Sequence, residues 1–190
     1  MKRQLYAFLA LLSICGSAQA ANPQLTFETN RGNFVVELYP EKAPKTVANF
    51  LQYVESGFYK NTVFHRVINR FMIQGGGFTA DMAEKDTKAP IINEAGNGLL
   101  NEPGTLAMAR TSDPNSATSQ FFINLENNQF LNYQGPEPDL IGYCVFGRVL
   151  QGMDVVRDIA ATPTGFKGPY SDVPKSPVII QQIKLNNKAL

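Results

Sequence analysis

The sequence predicts a mainly β domain, a closed or nearly closed antiparallel structure with two helices against it. Three observations lead there. Apolar and polar residues alternate from Leu25 to Leu38, short apolar runs divided by Gly, Pro, Asn and Asp fill the chain from residue 62, and just two segments carry a helical period. The 190 residues, 44% hydrophobic and 17% charged, suffice for one domain with a sizeable core. No repeat of solenoid length and no low-complexity block interrupts them.

The first twenty residues read as a leader rather than as fold. Lys2 and Arg3 give a charged start, Leu5 to Cys15 is almost wholly apolar, and Ala18-Gln19-Ala20 offers the small residues of a signal peptidase site. The apolar run is about half the ~20 residues a membrane span needs. Ile14 ahead of Cys15 also disfavours lipidation, which wants a small residue there. Cleavage after Ala20 leaves an exported domain of residues 21–190, free of the membrane.

Within that domain Leu25, Phe27 and Thr29 precede the turn signal Asn30-Arg31-Gly32-Asn33, and Phe34, Val36 and Leu38 follow it, which makes a hairpin. From Pro44 the apolar positions Val47, Phe50, Leu51 and Val54 follow a helical period that stops before Gly57. Further strands are expected at Thr62–Ile68, Phe71–Gln74, Thr105–Ala109, Gln120–Asn124 and Tyr143–Val149. A second helix begins near Met153 and ends before Pro163, and Val178–Leu185 reads as the last strand. The stretches Ala80–Asn101 and Asn132–Gly142 are long surface loops, candidate walls of a groove.

Composition narrows the chemistry. With His65 as the single histidine, a two-histidine zinc site within one chain is excluded, and His65 is the one imidazole open to a catalytic triad. Removing Lys2 and Arg3 with the leader leaves 15 basic against 16 acidic side chains, a balance that argues against nucleic acid as a partner. Cys144, alone after cleavage, has no disulfide partner in its own chain and reads as a small hydrophobe in a strand.

The informative segment runs from Phe64-His65-Arg66 through Phe71-Met72-Ile73-Gln74 to Gly75-Gly76-Gly77. It lacks the Lys-Ser or Lys-Thr of a phosphate loop, so its glycines are read as permitting a sharp turn. On its own it could be a strand arginine in a surface ion pair near some core residues. Farther on come Gly104–Ala109, Ser119-Gln120-Phe121-Phe122-Ile123-Asn124, Phe130-Leu131 and Gly142-Tyr143-Cys144-Val145-Phe146-Gly147. Together, and in this order, these segments resemble the cyclophilin family of peptidyl-prolyl cis-trans isomerases over nearly the whole mature chain, in the manner of its bacterial periplasmic branch.

The resemblance implies an eight-stranded antiparallel barrel capped by two helices, acting on proline-containing polypeptides without a cofactor or metal. It assigns catalysis to Arg66 with Gln74, Phe71 and Phe122, and substrate binding to Met72, Ala109, Arg110, Gln120, Phe130, Leu131 and Tyr143. Among these, Phe71, Met72, Phe122 and Leu131 correspond to the pocket for the proline ring. Phe130 replaces the tryptophan of many eukaryotic members and lacks its indole N–H, so cyclosporin binding is expected to be weak. Tyr143, in place of a histidine, keeps an aromatic wall. Arg110, in place of an asparagine, adds a charge that favours acidic residues near the substrate proline. Nothing in the sequence suggests more than a monomer.

Two rival readings fit a β domain of this kind. One is a proline-binding or holdase module on the same barrel, for which a guanidinium beside the rotating bond would have no purpose. The other is a lipocalin-like carrier with a hollow interior. Phe27, Phe34, Phe64, Phe121 and Phe146 argue instead for a filled one.

Overall fold

The structure, a computed structural model, describes residues 21–186, so the leader assigned to residues 1–20 lies outside the described residues. Strands β1 (Gln24–Thr29) and β2 (Gly32–Leu38) form the expected hairpin. Helix α1 (Pro44–Glu55) begins on its proline and turns Val47, Phe50, Tyr53 and Val54 inward. Then follow β3 (Thr62–Ile68), β4 (Met72–Thr79), β5 (Thr105–Met108), β6 (Phe121–Asn124) and β7 (Val145–Gln151). Helix α2 (Met153–Ala160), strands β8 (Thr164–Lys167) and β9 (Tyr170–Pro174), and β10 (Ile179–Leu185) complete the chain.

Eight of these strands close an antiparallel barrel in the order β1-β10-β3-β4-β6-β5-β7-β2. Closure leaves the barrel itself no free strand edge. The interior is filled. Phe27, Phe34, Phe64, Phe121 and Phe146 are all buried, and the Phe121 ring meets Phe27, Phe50, Tyr59 and Phe64 edge-on at centroid distances of 5.6, 5.6, 5.8 and 6.0 Å. Such pairs contribute about 0.5–1.5 kcal/mol each beyond their burial. A packed centre of this kind leaves no room for an internal ligand, and the carrier reading falls.

The chain departs from the sequence expectations in three places. Gly75, Gly76 and Gly77 make no sharp turn but continue β4 to Thr79. Aromatic rings and a side chain lie so close to this strand that a Cβ has no space. At Gly76, whose φ is +87°, an added Cβ would stand 2.8 Å from the Phe121 ring and 2.9 Å from that of Tyr59. The second departure is the β8–β9 hairpin, which sits outside the barrel and had no sequence signal. The third is small: Cys144 is buried, but directly ahead of β7 rather than inside it. Burial pushes its thiol up to about 11, which keeps it protonated and inert at neutral pH.

Replacing Gly76 with alanine is expected to destabilise the fold by about 2 kcal/mol or more, since it combines overpacking with a left-handed backbone. Chemical denaturation measures this. An unchanged midpoint would show that the Phe121 and Tyr59 rings can move aside.

Candidate active site

Strand register builds the site. Across the barrel wall Arg66 on β3 is opposite Gln74 on β4, Gln74 is opposite Phe122 on β6, and Phe122 is opposite Ala107 on β5. Because side chains alternate between the two faces of a strand, the neighbours of this row point the other way. Ile73, Phe121 and Ile123 join the interior core, while Met72, Ala107, Phe122, Leu131 and Val145 form a second apolar cluster on the outer face.

A cleft of about 120 Å³ opens over that second cluster, lined by Arg66, Phe71, Met72, Gln74, Ala109, Arg110, Phe122, Leu131 and Tyr143. Nine of the eleven residues singled out in the sequence therefore meet in one place. The other two stand at its border. Gln120 accepts a hydrogen bond from Gln74 Nε2 at 3.0 Å, and its side chain lies across Gly77, where a Cβ would come within 2.6 Å of it. Phe130 sits on the short 3₁₀ turn Gln129–Leu131, which directs Leu131 inward and leaves Phe130 68% exposed, stacked on Phe71 at 5.7 Å.

The rim is polar and tied down. Arg110 donates through Nε to the Gly142 carbonyl at 3.1 Å and through Nη1 to that of Thr111 at 2.9 Å, and its guanidinium lies 4.5 Å over the Tyr143 ring. Tyr143 in turn meets Phe122 edge-on at 5.7 Å. The two long loops contribute less to the cleft than their length suggests. Of Asn132–Gly142 it is the final carbonyl that braces Arg110, and Ile91, Ile92 and Asn93 of the other loop border a separate small cavity behind it.

The pocket wall rests on buried amides that sequence reading missed. Asn128 Nδ2 donates to the Phe71 carbonyl at 3.0 Å and to Asn124 Oδ1 at 2.7 Å, Asn124 Nδ2 donates to Asn101 Oδ1 at 3.1 Å, and Asn101 Nδ2 donates to the Leu131 carbonyl at 3.0 Å. The chain of bonds links the backbones of Phe71 and Leu131, both of which line the cleft. A fully satisfied buried network of this sort fixes geometry as well as energy.

Comparison with known proteins gives the architecture its family. Residues 24–185 match the family described as cyclophilin type peptidyl-prolyl cis-trans isomerase/CLD. The chain belongs to the cyclophilins. It is 56% identical over 162 residues to peptidyl-prolyl cis-trans isomerase B of Escherichia coli, covering 85% of this chain and 99% of that protein. Against peptidyl-prolyl cis-trans isomerase A of Dickeya dadantii the identity is 46% over 191 residues, with 98% and 99% covered. A crystal structure of a Cryptosporidium parvum cyclophilin superposes with a TM-score of 0.69 at 29% identity, covering 88% of this chain and 99% of that one. This cyclophilin is thus a peptidyl-prolyl cis-trans isomerase, an enzyme that turns the bond before proline.

His65, next to Arg66 in sequence, points away from the cleft of this cyclophilin. It is 6% exposed, packs on Phe78 at 4.6 Å, and its Nδ1 has no hydrogen-bond partner among the described residues. Burial, aided by the charge of Arg66, lowers its pKa to about 4. The unfolded chain therefore takes up a proton at about pH 6.5 that the folded chain refuses. The stability owed to a neutral His65 is complete above pH 6.5 and is lost as pH falls toward 4, on the order of 3 kcal/mol in total. His65→Gln is expected to remove this part of the acid sensitivity, read as a flatter denaturation midpoint between pH 4 and 7. An unchanged slope would assign the sensitivity to carboxylates.

Proposed function

We propose that Arg66 is the hydrogen-bond donor that stabilises the half-rotated Xaa-Pro bond, and that Phe71, Met72, Phe122 and Leu131 hold the proline ring while it turns. The reading is supported above all by the row Arg66–Gln74–Phe122, which sets a fixed cation beside an amide at the edge of an apolar floor. A related cyclophilin, that of Cryptosporidium parvum, was crystallised in the presence of the dipeptide Ala-Pro.

The chemistry follows from the bond. Partial double-bond character sets a rotation barrier of about 18–20 kcal/mol, and no covalent bond needs to break. Halfway round, the proline nitrogen regains a lone pair that the planar amide had delocalised. It can then accept a hydrogen bond that neither planar isomer offers. A guanidinium aimed at that nitrogen binds the twisted state better than either ground state, and such a difference is what raises a rate. The apolar hollow anchors the ring, and Gln74, held by Gln120, orients the carbonyl side or the arginine. A module that only bound proline would gain nothing from a cation in this position.

The substrates in this reading are flexible proline-containing segments of exported proteins, whose folding the enzyme assists in the periplasm. Residues 1–20 support this setting through their charged start, apolar stretch and small-residue end. N-terminal sequencing of protein recovered from the periplasm is expected to begin at Ala21. An intact leader there would overturn the exported setting.

Arg66→Ala is expected to lower isomerisation severalfold to about a thousandfold, corresponding to about 1–4 kcal/mol of transition-state stabilisation. A protease-coupled assay on a short Xaa-Pro peptide measures it, with circular dichroism to confirm the fold. Since arginine keeps its charge throughout, the wild-type rate is expected to be nearly flat from about pH 6 to 9. A folded Arg66→Ala protein with full activity would eliminate the assignment.

A further inference from the structure

We infer that Asp172, on the hairpin outside the barrel, is a positioning residue for Arg66; the inference rests on the reading of Arg66 as the donor and deepens it. Among the described residues Asp172 is the one carboxylate within 4 Å of the Arg66 guanidinium, its Oδ2 standing 3.9 Å from Nε. Both side chains are partly open to solvent, 43% for Arg66 and 38% for Asp172. The contact falls on Nε rather than on the terminal nitrogens. At 3.9 Å this is an ion pair without a hydrogen bond, and because a guanidinium is a rigid planar fork, a charge beside its Nε edge biases the direction of its two Nη groups. Those groups meet no protein acceptor among the described residues, which leaves them for the rotating bond.

The backbone is bent to bring the carboxylate there. Asp172 has φ +59° within β9, a left-handed conformation rare for residues other than glycine and tolerated by Asp because its carboxylate bonds locally. Ser171 Oγ supplies that bond, 3.0 Å from Oδ2, the same oxygen that faces Arg66. The hairpin is also fastened to the barrel on both sides of Asp172. Val173 and Pro174 are buried, Tyr170 meets Phe78 of β4 edge-on at 5.3 Å, and Lys167 Nζ donates to the Ala80 carbonyl at 2.7 Å. A hairpin kept merely for stability has no need of a left-handed aspartate at the point nearest Arg66. An exposed ion pair adds little to stability in any case. Direction of the guanidinium is what the contact can supply, and departures from ordinary backbone geometry gather where function demands them.

Asp172→Asn keeps the shape, the oxygen and the tolerance for a left-handed backbone, and removes the charge. Asp172→Gly suits the same φ with no side chain at all, so loss of the fold does not explain its effect. NMR exchange on an uncharged Xaa-Pro peptide gives kcat and KM for wild type, both variants, Arg66→Ala and the double variant Arg66→Ala/Asp172→Asn. We expect Asp172→Asn to lower kcat about two- to fivefold, the scale an exposed pair can reach, with KM unchanged and a larger loss for Asp172→Gly. Added salt is expected to lower the wild-type kcat but not that of Asp172→Asn, because the lost interaction is screened. In the Arg66→Ala background Asp172→Asn is expected to change nothing further, the mark of a residue acting through Arg66. Full kcat in both Asp172 variants, with Arg66→Ala impaired, overturns the positioning role alone. An equal loss in the Arg66→Ala background also overturns it. Full activity of Arg66→Ala removes both readings at once.

Discussion

Phe121 and Phe122 are neighbours in a four-residue strand and face opposite sides of the barrel wall, and much of the structure depends on that one alternation. The Phe121 ring is packed edge-on against four other aromatic rings, so β6 cannot shift by a residue without carrying this ring out of the core. With β6 fixed, Phe122 has to face outward. Its partners across the ladder, Gln74 and then Arg66, follow by register. The glycines of β4 serve the same packing, since Gly76 admits the Phe121 ring on one side and Gly77 admits the Gln120 side chain on the other. Stability and site geometry are in this way two consequences of one register.

The reaction asks for little chemistry and much geometry. Rotation about a peptide bond needs neither nucleophile nor proton shuttle, so the burial of His65 and Cys144, with the former kept neutral and the latter kept as a thiol, deprives the enzyme of nothing it uses. What rotation does need is a ring held still and a donor held in one direction. In the proposed reading the apolar cluster under the cleft supplies the first, with the Asn101–Asn124–Asn128 amides tying together the backbones of Phe71 and Leu131 beside it. The direction of Arg66 is set on one side by its strand and on the other, in the proposal made above, by a hairpin that closes no part of the barrel.

Periodicity made the barrel strands and both helices legible in sequence, because those elements bury one face and so must alternate or repeat. The residues at the cleft were legible as an ordered set of motifs, although strand spacing alone would have left Arg66 as an ordinary surface cation. The β8–β9 hairpin was not legible. Its strands are short and joined through Gly168, Phe166 is 87% exposed, and burial is confined to Val173 and Pro174 at the end of β9, so no alternating buried face imprints a pattern on them. Asp172 lies far along the chain from Arg66, and a left-handed aspartate has no spelling in sequence. Gly75–Gly77 misled for a related reason. A glycine that makes room for a ring and a glycine that makes a turn look alike until the ring is placed.

In the role proposed for it, Arg66 acts on the twisted bond and not on the resting peptide. Measuring both the dissociation constant of an Xaa-Pro peptide and its on-enzyme exchange rate by NMR, for wild type and Arg66→Ala, separates the two. Arg66→Ala is expected to keep nearly the wild-type affinity with exchange slowed severalfold or more. Weakened affinity with an unchanged exchange rate would contradict it, and would make Arg66 a residue that binds substrate without turning it.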